Sequence, residues 1–72
     1  MAEVVVYPPD ESGGRRVRAR GRLLGTAHHV YELLDMLALV GLDPALVRLD
    51  DQRLIEWRGG GAWVWGPPGD GE

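Results

Sequence analysis

Apolar and polar positions along this chain repeat with two different periods, and each change of period marks an element. Glu3-Val4-Val5-Val6-Tyr7 is an unbroken β-branched and aromatic run closed by Pro8-Pro9. Such a run predicts a strand, and its lack of alternation predicts a central one covered on both faces. Proline cannot extend a ladder, so the strand is expected to stop there. Pro8 to Gly14 is rich in turn residues. The pattern then alternates strictly. Arg16, Arg18, Arg20 and Arg22 are separated by Val17, Ala19 and Gly21, with Leu23 following. In a strand, alternate side chains point to opposite faces. A second strand over about 15–24 is therefore expected to carry four guanidiniums on one face, and an antiparallel hairpin with the first strand is the economical pairing.

Beyond Gly25 the period becomes helical. Thr26 suits an N-cap, because its hydroxyl can accept from an unpaired backbone N–H. Ala27, Val30, Tyr31, Leu34, Leu37 and Ala38 make one apolar stripe. Gly41 suits the first position past the helix, with Leu42 supplying the contact of a Schellman end. His28, Glu32 and Asp35 form a polar face that stops at Asp35. From Met36 to Val40 the helix is apolar all round, and Leu33, Met36 and Val40 lie outside the main stripe. A surface helix keeps one wet face, so this end is expected to be covered, by the chain's own C-terminal hairpin or by a second subunit.

Asp43-Pro44 resembles a cap followed by proline in the first helical position. Residues 44–49 then fit either a short helical turn or a brief strand. Arg53–Arg58 and Ala62–Trp65 read as two strands joined by Gly59-Gly60-Gly61. A three-residue loop would set Trp57 opposite Trp63, while a two-residue loop would move Trp57 to the other face. The predicted fold is α+β in ββαββ order: an antiparallel or mixed four-stranded sheet with one helix on one face, compatible with a β-grasp-like arrangement. Residues 1–66 are expected to form one domain, and 67–72 a flexible Pro/Gly/acidic tail.

Composition narrows the function. At 72 residues without cysteine, the chain has neither disulfides nor thiolate metal sites to support a small core. Self-association or very efficient packing is the remaining device. Eleven acids against eight basic residues leave a net charge of −3, which argues against a generally basic nucleic-acid binder. Every basic residue is arginine, and Gly, Ala, Arg, Pro, Val and Leu dominate; GC-rich codon usage explains this bias and fits a bacterial source. The N-terminus has no signal-peptide pattern and no apolar run reaches membrane length, so a cytoplasmic protein is expected.

No catalytic motif, metal constellation or cofactor signature is present. Neighbouring His28 and His29 diverge on a helix, and the glycine-rich stretches lack the residues of a phosphate loop. The expectation is a non-enzymatic protein-interaction or regulatory module, with Leu33, Met36, Leu39, Val40, Trp63 and Trp65 as contact residues and a homodimer as the first partner. The alternative is single-stranded nucleic acid, tracked by Arg16, Arg18, Arg20 and Arg22 and stacked on Trp63 and Trp65. Four phosphate contacts would give a salt slope of about −3.

Overall fold

In the computed structural model, which describes residues 2–65, the β-branched run becomes β1 (Val4–Pro9). It continues through both prolines, and its register with the next strand shifts between Val6 and Pro9. The alternating segment becomes two strands, β2 (Arg15–Ala19) and β3 (Arg22–Ala27). Between them Arg20 and Gly21 have φ of 54° and 82°. Two successive positive φ values make the tight hairpin turn whose twist matches its flanking strands. Arg20 there takes a conformation that costs an L-residue about 1 kcal/mol. The single predicted strand over 15–24 is thus a hairpin in its own right.

The helix begins later than Thr26, which lies in β3. Helix α1 spans Val30–Leu39 with His29 as N-cap, its Nδ1 accepting from the Glu32 N–H. Glu32 reaches back, and its Oε1 accepts from the His28 N–H at 2.6 Å. This reciprocal arrangement replaces the expected threonine cap. The other end matches expectation. Gly41, at φ 87°, donates to the Ala38 carbonyl, and Leu42 donates to the Leu37 carbonyl, the paired bonds of a Schellman end.

Residues 43–54 contain turns. Asp43 accepts from the Ala45 N–H with its side chain and from the Leu46 N–H with its carbonyl. This decides 44–49 in favour of a helical-type turn over a strand. The last strand, β4 (Ile55–Trp57), is short. No partner strand forms at Ala62–Trp65, so the expected C-terminal hairpin is absent among the described residues.

The sheet order is β3-β2-β1-β4, with β1 and β4 parallel and the other pairs antiparallel. The fold is a small α+β domain with a four-stranded mixed sheet, and its order along the chain is βββαβ. Val4, Val6, Val17, Ala19, Ala27 and Ile55 meet Leu33 and Leu37 of α1 in one core. The helix covers that face only. On β1, Val4 and Val6 are buried, while Val5 and Tyr7 on the other face are half-buried, so the central strand is covered on one side and not on both. No helix among the described residues is long and apolar enough to cross a membrane. The predicted tail at 67–72 lies outside the described residues.

Candidate interaction site

The alternation along β2 places Arg15 in phase with Val17 and Ala19, on the core face. Its side chain is fully buried. A guanidinium has five N–H donors in a rigid fork, and here each finds a backbone carbonyl. Nε donates to Tyr7 at 2.8 Å. Nη1 donates to Gly61 at 2.9 Å and to Val64 at 2.8 Å. Nη2 donates to Arg58 at 2.9 Å and to Gly60 at 2.8 Å. Among the described residues no carboxylate takes part. The remaining faces are aromatic: the guanidinium carbon lies 5.4 Å from the Trp57 ring centroid and 5.5 Å from that of Trp65. The two indoles meet edge to face at 6.4 Å, and each is anchored by its own N–H, Trp57 on the Leu49 carbonyl and Trp65 on that of Ala62.

Burial lowers the Arg15 pKa from its ordinary value by removing the charge from water. Carbonyl dipoles and indole faces stand in for that water. The cost of desolvating a charge is several kcal/mol, and it is offset only if the surrounding loop stays closed. Residues 58–65 therefore owe their path to one side chain from a distant strand. Their glycines fit the same geometry. A Cβ on Gly59, at φ +78°, would stand 2.6 Å from Pro8 Cβ, and one on Gly60, at φ +119°, would stand 2.8 Å from Val64 Cβ.

The loop so fixed turns Trp63 outward. Trp63 is 80% exposed and is itself one wall of an open groove of about 640 Å³, lined also by Val47, Leu49, Trp57 and Ala62 with Asp50 and Gln52. Leu39, 86% exposed, and Leu46, 79% exposed, are further uncovered apolar side chains. The six predicted contact residues divide. Trp63 and Leu39 are open to solvent, and Met36, Val40 and Trp65 are half-buried against the core. Leu33 is a correction: it is completely buried in the chain's own core, because the sheet rather than a partner covers that flank of the helix.

The arginine comb also divides. Arg16 and Arg18 are exposed on the sheet face away from the helix. Arg20 sits in the turn and pairs with Glu3 at 3.0 Å. Arg22 lies opposite Ala19, which is on the helix side. The hairpin turn reverses the chain and breaks the one-face row of four. Trp57 and Trp65 meet Arg15 on the helix side, so these indoles and the Arg16–Arg18 pair occupy opposite faces. Sequence reasoning missed Arg15, although a signal was present: it is the one arginine of the segment that falls in the apolar phase.

His28 Nδ1 and Glu32 Oε1 lie 3.0 Å apart on the exposed start of the helix. Among the described residues no three His, Asp or Glu side chains gather as a metal site. Comparison with protein-family models, with curated proteins and with solved structures gives no match for this chain.

Proposed function

We propose that this is a small, non-enzymatic, cytoplasmic protein-interaction or regulatory module that self-associates through Trp63 and the groove beside it. The observation that carries the reading is an 80% exposed indole on a loop tied down by four hydrogen bonds from a buried arginine. Exposed tryptophan on a preorganised loop is the anchor type that dominates protein interfaces, since little entropy remains to be lost on docking. A two-fold contact needs a projection and a recess on the same chain. Trp63 supplies the first, and the open groove that it borders together with Val47, Leu49 and Trp57 supplies the second. The small core, with eight buried apolar residues, gives such a chain reason to bury more surface by pairing. The nucleic-acid alternative has less support, because only two guanidiniums of the comb, Arg16 and Arg18, share the open face, away from Trp57 and Trp65.

Sedimentation velocity from about 1 to 100 μM tests the reading. The expected result is a concentration-dependent dimer that Trp63→Ser weakens by about 30-fold or more, the scale of a hot-spot truncation. Because Trp63 is exposed, the unfolding midpoint of the dilute protein should stay unchanged. A chain that remains monomeric throughout, or a dimer indifferent to Trp63→Ser, removes the proposal.

A further inference from the structure

The face of the sheet opposite α1 has no covering element among the described residues. Strand register sets Leu23, Arg18, Val5 and Glu56 side by side across β3, β2, β1 and β4. Beside this row is a shallow concavity of about 370 Å³, lined by Tyr7, Pro8, Pro9, Asp10, Arg16, Arg18 and Leu23. Its charges are unevenly engaged. Glu56 is taken by Arg58, which also lies over the Tyr7 ring at 5.3 Å. Asp10 faces its own turn: its Oδ1 accepts from the N–H and hydroxyl of Ser12 and from the Gly14 N–H. The Ser12 hydroxyl chiefly holds that carboxyl below its ordinary pKa. Arg16 and Arg18 make no ion pair among the described residues, where the arginine–carboxylate pairs involve Arg20, Arg48 and Arg58.

We infer that this open face binds an acidic, extended peptide segment of a partner protein, its alternate carboxylates set on Arg16 and Arg18 as it runs between Tyr7 and Leu23. The charge and the spacing both fit. Same-face side chains repeat every 6.6–6.8 Å or so along a strand, in the arginines and in an extended ligand alike. Guanidinium–carboxylate pairing is directional and charge-assisted. Leu23, 56% exposed, gives the track an apolar wall. A single-stranded nucleic acid has a similar charge repeat but fits less well. Its bases need open aromatic faces, and the one aromatic ring lining this concavity, Tyr7, is already covered by Arg58. The inference is independent of the Trp63 reading, which concerns a different surface.

The probe is a fluorescent hexapeptide of alternating glutamate and threonine, followed by anisotropy at low salt with the full chain. Saturable binding that weakens with salt is expected. Arg16→Gln with Arg18→Gln should reduce affinity by about tenfold. Arg22→Gln with Arg53→Gln removes the same charge elsewhere and should change affinity by less than about twofold. Unchanged near-ultraviolet circular dichroism will show that both double variants are folded, as exposed positions allow. The inference is overturned by no binding up to about 1 mM, by equal binding of the glutamine-for-glutamate peptide, or by equal losses in the two double variants. It is also overturned if oligothymidylate of matched charge binds more tightly, with the salt slope of about −1.4 that two phosphate contacts give.

Discussion

Replacing Arg15 tests the cage that shapes the molecule. Five hydrogen bonds from a charged donor, at about 1.5–3 kcal/mol each, would sum to about 8–15 kcal/mol. That sum matches or exceeds the whole stability of about 4–11 kcal/mol expected for this length, so the bonds cannot simply add. Desolvation of the guanidinium has already removed several kcal/mol. What remains is the cost of leaving acceptors behind. Buried ion pairs can often be replaced by apolar residues because both partners go. Here the partners are main-chain carbonyls of Tyr7, Arg58, Gly60, Gly61 and Val64, and they stay. Arg15→Leu should therefore cost about 3–5 kcal/mol, the scale of breaking a buried charged network. Arg15→Lys keeps the charge and three donors. Two lost bonds at about 1–1.5 kcal/mol predict a smaller loss, about 2–3 kcal/mol. Urea unfolding followed by tryptophan fluorescence reads both. At about 1 kcal/mol/M, the midpoint should fall by about 3 M or more for leucine and by about 2–3 M for lysine. Acrylamide should reach Trp65 more readily in both. The discriminating feature is the order. If Arg15 acted only by packing its stem, leucine would be benign and lysine the worse change; that result refutes the cage as the organiser of residues 58–65.

Two further outcomes follow from the same geometry. Gly59→Ala brings a Cβ to 2.6 Å from Pro8 Cβ and 3.0 Å from its Cα, at a positive φ; it should cost about 1–3 kcal/mol in urea unfolding. Gly61→Ala meets nothing within 4 Å and should leave the midpoint within about 0.5 kcal/mol; equal effects from the two would contradict the loop path. At the helix start, hydrogen bonding from the His28 N–H, and then from its side chain, holds the Glu32 carboxyl below the ordinary value of 4.5. A carboxyl lowered in the folded state stabilises above its unfolded pKa, and that contribution fades as pH falls through the folded one. The urea midpoint of wild type should thus exceed that of Glu32→Gln at about pH 6 and approach it by about pH 3; a constant difference would show that Glu32 does not act as a charged cap.

Much of this architecture is legible in the chain. The run Val4–Tyr7, the period-two segment from Arg15 and the Gly41–Leu42 end each have a local cause, and each forms where that cause lies; the helix also forms, but its buried face is set by Leu33 and Leu37, and Tyr31 of the expected stripe is exposed. Near-neighbour sterics and periodicity suffice for such elements. Local rules fail where two signals compete. The alternation from Arg16 to Leu23 is continuous in sequence, and the turn at Arg20–Gly21 interrupts it, because the fold needs a third strand there more than it needs a long second one. Thr26 is a good cap in isolation, yet pairing of β3 with β2 claims it, and His29 with Glu32 caps the helix instead.

The interaction site depends on contacts that sequence order does not reveal. Gly59-Gly60-Gly61 between two tryptophan-bearing segments resembles a hairpin loop, and nothing nearby says otherwise. The deciding partner is Arg15, more than forty positions away along the chain. Its two Nη groups offer four of the loop's carbonyls what a neighbouring strand would have offered, and the loop closes on the guanidinium. The sequence by itself determined the strand-forming and helix-forming segments, the charge segregation and the surplus of apolar surface. Tertiary structure alone decided that Leu33 is core, that Trp63 is exposed, and that only Arg16 and Arg18 of the comb share an open face. Burial and hydrogen-bond satisfaction are properties of groups brought together by the whole fold, so a pattern of neighbours can suggest them but cannot choose among them.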